Sequence, residues 1–279
     1  MSDKTFGLAG VMGWPVAHSR SPKLHNYWLE KYGLLGAYVQ LPVAPGQLGV
    51  AIPGLTALGF RGCNITIPHK VDAMSLVHEV DAVARRMGAI NTIVVQADGS
   101  LKGFNNDGFG YIQSLLDAQP DWRADAGPIV VLGAGGAARA VVLSLADRGA
   151  REIRLLNRTL AKSQALANEF GGPVKALPWE DRDNALDGAA LLVNTTNQGM
   201  HGNPPLNIDL KKLPLNALVS DAIYVPLETP LLKAARMRGN ATVNGLGMLL
   251  NQARPAFHAW FGIMPEITPE LRRAIEATL

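Results

Sequence analysis

The 279 residues are 48% hydrophobic and 18% charged, with a formal net charge of +3 and a single cysteine. That length fits one large or two modest domains, and the apolar content supplies a substantial core, which excludes a disordered chain. The near-balanced charge shows no block of like sign, which excludes a nucleic-acid footprint and suits the handling of small anions, and Cys63 alone excludes an internal disulfide.

The first four residues show no basic stretch leading into an apolar run, so no secretory signal is expected. Residues 6–11 read as the first strand. Ser21 and Pro22 read as the N-cap and first position of a helix that runs to Tyr32 and stops at Gly33. A strand over 37–41, a helix over 47–58 and a strand over 62–67 follow. Cys63, in that last apolar stretch, reads as a small buried residue. Pro68 is expected to open another helix with Lys70 in its first turn. A lysine there opposes the helix dipole, so its placement asks for a reason. Next come a helix over 81–87 ending at Gly88, and two strands, 90–96 and 101–105, flanking the hairpin signal Asp98-Gly99. Asp107 can cap the helix after them.

The stretch 129–145 reads I-V-V-L-G-A-G-G-A-A-R-A-V-V-L-S-L. Arg139 and the glycines break its apolar run, and strand–turn–helix is a better reading than a membrane span. Gly133, Gly135 and Ala138 match G-x-G-x-x-A. Gly133 permits the tight turn, and Gly135 lets a pyrophosphate approach bare backbone. Ala138 lets helix and strand pack, and the helix N-terminus offers N–H groups to phosphate. The second strand, 153–156, ends in Asn157-Arg158-Thr159. No acid stands there to hold a ribose 2′-hydroxyl. Arg158, with Lys162 a turn later, suits a 2′-phosphate, which favours NADP over NAD. A helix over 159–170, a strand near Val174, strands 189–194 and 217–221, a helix capped by Thr229-Pro230, and a long helix from Gly245 through Phe261 complete the pattern. Alternating strands and helices imply parallel sheets with right-handed crossovers. A complete α/β unit precedes the nucleotide-binding unit, and the active site is expected between them.

Polar groups gather beside Gly or Pro in four N-terminal segments. Ser19 and Ser21 place two hydroxyls near a helix start, which suits a carboxylate. Asn64 and Thr66 share one face of a strand, with Lys70 just beyond. Gly88-Ala89-Ile90-Asn91-Thr92 and Asn105-Asn106-Asp107 are the others. Tyr224 and Gln252 are polar groups in apolar surroundings. No histidine shows metal-ligand spacing, so no metal is expected.

On these residues the chain resembles the shikimate dehydrogenase family, the NADP-linked enzymes of the aromatic amino-acid pathway, over nearly its whole length. The segments are G-W-P-V-A-H-S-R-S-P-K-L-H-N (13–26), N-I-T-I-P-H-K (64–70), G-A-I-N-T (88–92), N-N-D-G (105–108), G-A-G-G-A-A-R-A (133–140), N-R-T (157–159), N-T-T (194–196) and G-L-G-M-L-L-N-Q-A (245–253). The resemblance implies a two-domain α/β fold. Residues 1–107 with 245–279 would form a substrate-binding, catalytic domain with a mainly parallel sheet, to which the C-terminal helix returns. Residues 108–244 would form an NADP-binding Rossmann domain. Ser19 and Ser21 would hold a substrate carboxylate, with Tyr224 nearby, and Thr66, Asn91 and Gln252 would bind ring hydroxyls. Lys70 and Asp107 would form the catalytic pair. Gly133, Ala134, Gly135, Gly136, Ala137, Asn157, Arg158, Thr159 and Lys162 would bind the adenine half of NADP, with Thr195, Gly245 and Met248 near the nicotinamide. The implied reaction is the reversible reduction of 3-dehydroshikimate to shikimate, in a cytoplasmic monomer or homodimer that binds neither nucleic acid nor membrane. Asn106 stands where the family usually has Thr, Asn197-Gln198 replaces a more usual Pro-containing pair, Asn244 stands where Asp is frequent, and Pro255 falls inside the last helix. A quinate/shikimate or aminoshikimate dehydrogenase is the alternative of the same fold, and a non-catalytic NADP-binding sensor the alternative from another class.

Overall fold

The computed structural model describes residues 5–279. In chain order its elements are β1 (Gly7–Gly13), α1 (Ser21–Lys31), β2 (Gly36–Pro42), α2 (Leu48–Ala57), β3 (Phe60–Ile65), β4 (Glu79–Val80), α3 (Ala82–Met87), β5 (Thr92–Val95), β6 (Leu101–Phe104) and α4 (Asp107–Ala118). Then come β7 (Ile129–Leu132), α5 (Gly136–Asp147), β8 (Ile153–Leu156), α6 (Leu160–Phe170), β9 (Val174–Leu177), β10 (Leu191–Asn194), β11 (Leu218–Asp221), α7 (Pro230–Arg238), β12 (Thr242–Val243), α8 (Leu246–Phe261) and α9 (Pro269–Glu276). The chain divides into two compact units. One runs through Asn106 and includes Gln252–Thr278; the other is Asp107–Asn251. The first turns of α8 go with the second unit because Asn251 donates to Asp117 Oδ2 at 2.8 Å and Gly247 lies against Ser114.

The first unit carries a six-stranded sheet in the order β2-β1-β3-β5-β6-β4. β1 runs parallel to both β2 and β3, whereas β5 pairs antiparallel with β3 and with β6. The hairpin at Asp98-Gly99 is thus inserted into an otherwise parallel sheet, because a short turn can only return the chain antiparallel. Three local expectations are corrected. No helix begins at Pro68: the chain turns over 67–71 and enters a short 3₁₀ helix, Asp72–Leu76. There His69 donates its N–H to Thr66, and the Lys70 carbonyl accepts from Ile90, so these groups serve a turn and a neighbouring strand. Lys70 therefore does not oppose a helix dipole. Ser21 does not cap α1; the cap position falls on Arg20, which makes no side-chain cap bond, and the Ser21 N–H donates to Ser19 Oγ at 3.3 Å. Finally, Thr268-Pro269 opens α9, a helix absent from the reading of the sequence although it repeats the Thr229-Pro230 signal.

The second unit carries a fully parallel sheet in the order β12-β11-β10-β7-β8-β9. That is the strand order of a dinucleotide-binding fold, with its switch point between β7 and β10. All four β7 residues are buried. Ile129 and Val131 enter one apolar cluster, Val130 and Leu132 the other, as a period of two requires of a strand covered on both faces.

The core of the first unit encloses a polar ring. His25 is fully buried, stacked on Tyr38 with centroids 4.1 Å apart, and flanked by Trp28, Phe257 and Trp260. Neither ring nitrogen has a hydrogen-bond partner among the described residues. Burial pulls its pKa from the usual 6.5 down to about 3. The folded state therefore binds fewer protons than the unfolded one in this window. The contribution to stability is intact above the unfolded value and drains away as pH falls toward the folded one. Between pH 7.5 and 5.0 this histidine should cost the protein roughly 2 kcal/mol. His25→Phe should flatten the pH dependence by that amount, read by urea unfolding at the two pH values.

Candidate active site

The C-terminal end of β7 builds a cradle. Gly133 has φ +109°, and a Cβ there would sit 2.5 Å from Thr195 Oγ1, so only glycine makes the turn. Thr195 closes it by donating its hydroxyl to the Leu132 carbonyl at 2.6 Å, and Gly133 N–H donates to Leu156 at 2.7 Å. Gly135 and Gly136 differ in kind: a Cβ on either would meet nothing, so their bareness keeps open a space outside the protein's own packing. That space belongs to a cavity of about 270 Å³ at the start of α5. Its walls are Gly133 to Gly135, then Asn157, Arg158, Thr159 and Lys162 beyond β8, then Thr195 to Gln198 beyond β10, and Trp179. A helix N-terminus, bare backbone and two cations fit a dinucleotide with a 2′-phosphate. Asn157 is set by its amide, which donates to the Thr159 carbonyl at 2.9 Å.

The wall beyond β10 is held from beneath. Asn194 Oδ1 accepts from Thr196 N (3.0 Å) and Thr196 Oγ1 (2.7 Å), and its amide donates to Asp221 Oδ1 at 3.1 Å. Asp221 also accepts from Ile223 N–H and from the Thr229 hydroxyl, which caps α7. Burial raises the Asp221 carboxyl above its ordinary range, opposed by those three bonds. Gly245 lies so close to the end of β11 that a Cβ would meet the Ala222 carbonyl at 2.1 Å. Met248 packs, partly buried, on the cluster that contains Val131. Tyr224 also lies in this unit, just beyond β11.

In the first unit a polar network collects around β3, β5 and the residues that follow β6. Asn64 Nδ2 donates to the Asn91 carbonyl (3.0 Å) and Thr92 Oγ1 (3.1 Å), and Thr92 Oγ1 donates to Asn91 Oδ1 at 2.8 Å. Asn106 joins through its N–H to Asn91 Oδ1 (3.0 Å) and its amide to Thr92 Oγ1 (3.1 Å). Asn91 Nδ2 faces Gln252 Oε1 at 3.4 Å. Ser19, Ser21, Thr66, Lys70, Asn91 and Gln252 all belong to this unit, and Asp107 opens α4 in the other, one residue after Asn106. Reasoning from sequence had Asn64 on the right face but gave no role to Thr92, Tyr38, Trp179 or Gln198. Thr92, inside the G-A-I-N-T segment, and Thr196, inside the N-T-T segment, carried a usable signal.

A model described as the shikimate dehydrogenase substrate binding domain matches residues 11–93, and one described as shikimate / quinate 5-dehydrogenase matches residues 119–201. A shikimate dehydrogenase (NADP(+)) of Rhodospirillum rubrum is 53% identical over 272 residues, covering 96% of either chain. The chain belongs to the shikimate dehydrogenase family. Among solved structures, a shikimate dehydrogenase in complex with NADP+ is similar with a TM-score of 0.89 and 40% identity, over 99% of this chain and 96% of the other. A quinate dehydrogenase from Corynebacterium glutamicum in complex with NAD is similar with a TM-score of 0.90 and 30% identity, over 98% and 100%. Like its relatives, this family member is a two-domain α/β protein with a Rossmann-type unit, and no helix among the described residues is long and apolar enough to cross a membrane.

Gly135 separates binding from folding. Gly135→Val places its side chain in open space at an ordinary negative φ of −93°. The thermal midpoint should stay near that of the parent while KM for NADPH rises by about tenfold or more, measured by steady-state kinetics beside a melting curve.

Proposed function

We propose that the chain catalyses the reversible NADPH-dependent reduction of 3-dehydroshikimate to shikimate. The observation that carries this reading is the cavity at the start of α5, whose bare glycines and paired Arg158 and Lys162 suit a phosphorylated dinucleotide. The similarity to the NADP-linked shikimate dehydrogenase of Rhodospirillum rubrum supports the substrate.

When bound, the cofactor supplies the hydride for the ring carbonyl. Gly133, Ala134, Gly135, Gly136 and Ala137 receive its pyrophosphate. Asn157, Arg158, Thr159 and Lys162 take the adenosine and its 2′-phosphate, and Thr195, Gly245 and Met248 bound the nicotinamide. Ser19 and Ser21 donate to the substrate carboxylate, with Tyr224 beside it, and Thr66, Asn91 and Gln252 bind ring hydroxyls. As the carbonyl is reduced, negative charge grows on its oxygen. Lys70 delivers a proton there, and Asp107 binds the neighbouring hydroxyl and keeps the ammonium oriented. The reaction belongs to the cytoplasm, in a monomer or homodimer.

The similarity to a quinate dehydrogenase, together with Asn106 where the family usually has Thr, supports a second reading in which quinate is also accepted. Comparing kcat/KM for shikimate and quinate, each with NADP and NAD, decides between them; shikimate with NADP should give the highest value. The direct test of the main reading is loss of NADPH absorbance on adding 3-dehydroshikimate. Absence of that loss in a folded preparation rejects it. Lys70→Ala should lower kcat by about 10²-fold or more while shikimate still binds, followed by turnover and by calorimetry. A rate near the parent's would remove Lys70 from the chemistry.

A further inference from the structure

The core of the first unit holds a buried phenol whose hydroxyl has a polar partner. Tyr38, on β2, is only 2% exposed. Its backbone is clasped by the Asn26 side chain, which donates to the Tyr38 carbonyl and accepts from its N–H, both at 2.9 Å. Its ring lies flat on His25. With backbone and ring fixed, the hydroxyl has one place to be. It donates to Asn64 Oδ1 at 2.7 Å, and burial pushes the phenol's pKa up.

The direction of that donation matters. An amide has one accepting and one donating end. Tyr38 takes the accepting end of Asn64, while Nδ2 donates to the Asn91 carbonyl and Thr92 Oγ1. Thr92 accepts there and from Asn106, and its single proton goes to Asn91 Oδ1. Asn91 Oδ1 also takes the Asn106 N–H. With its oxygen occupied, Asn91 presents its NH₂ on the side where Gln252 stands. One buried phenol thus stands at the head of a chain of bonds that ends at Asn91.

We infer that Tyr38 is a positioning residue for substrate: its hydroxyl holds Asn64, and through Asn64 and Thr92 it steadies the side chain of Asn91. This rests on the proposed reading in which Asn91 binds a ring hydroxyl. Tyr38 contacts neither cofactor wall nor reacting atoms, so its removal acts on substrate binding and not on the chemical step.

Tyr38→Phe deletes the hydroxyl and keeps the ring in its stack. Steady-state kinetics should show KM for shikimate and 3-dehydroshikimate raised about tenfold, kcat changed by less than about threefold, and KM for NADP unchanged. A general loosening of the core would not confine itself to one substrate. Asn64→Ala breaks the same bond from its other end without disturbing the ring stack. The double variant should raise KM no further than Asn64→Ala alone, because both act on one chain of bonds. The proposal is overturned by a folded Tyr38→Phe enzyme whose KM for shikimate stays within about twofold of the parent's, or by additive effects in the double variant. If Tyr38→Phe fails to fold, an unchanged KM in Asn64→Ala overturns the proposal, and a raised one with kcat and KM for NADP preserved supports it. Failure of the functional reading shows earlier and differently, as a parent enzyme that does not turn over shikimate.

Discussion

At the end of β7 the backbone of Gly133 passes so near Thr195 that no side chain could stand between them. The Thr195 hydroxyl bonds the carbonyl of the residue just before that glycine. The neighbouring strand β10 is thereby brought into register with the turn, and its following residues become a wall of the cavity. The remainder of the nucleotide unit serves this closure. Four buried β7 residues divide between two cores, which fixes the strand from both faces. Asp221 and Asn194 then carry the constraint sideways to Thr196 and to the cap of α7. Burying a carboxylate without a cation is costly unless every lone pair finds a donor, and three donors meet Asp221 here.

Much of this was legible in the residues, for identifiable reasons. β7 and β8 stand where their apolar runs predict, because a strand covered on both faces leaves a continuous hydrophobic signature. The helix opened by Thr229-Pro230 begins where its cap indicates, and the helix read over 81–87 is found at Ala82–Met87. The turn at Pro68 was misread because proline marks the first turn of a helix and an irregular turn alike, and only the partner of each N–H separates them. Ser21 was misread for a related reason. Serine before proline is a capping signal, yet here the cap position falls on Arg20 and Ser19 accepts from the Ser21 N–H. α9 was within reach, since Thr268-Pro269 repeats a pattern recognised elsewhere in the chain.

The functional residues divide in the same way. Groups lying within short motifs were proposed from the sequence: the glycines, Arg158, Asn91 and Lys70. Groups that act by holding those were not. Tyr38 is 26 residues from Asn64, and Asn194 is 27 from Asp221. Nothing in local spacing announces a hydrogen bond across such a distance. Trp179, which helps wall the cavity, sits in a polar stretch after β9 that looks like any surface loop.

The two units differ in how they can be assembled on the ribosome. Residues 107–251 are one uninterrupted length of chain, so that unit holds all its parts once its last strand and helix have emerged. The other does not. Trp28 donates its indole N–H to Glu266, 238 residues downstream, and Trp260 donates to Ile93, 167 residues upstream. The sheet made first must therefore wait, with the pocket for His25 unsealed, until nearly the whole polypeptide has been translated. Vectorial synthesis builds the phosphate-binding half to completion before the earlier-born half can close, and that half is the one exposed to chaperones and proteases in the interval.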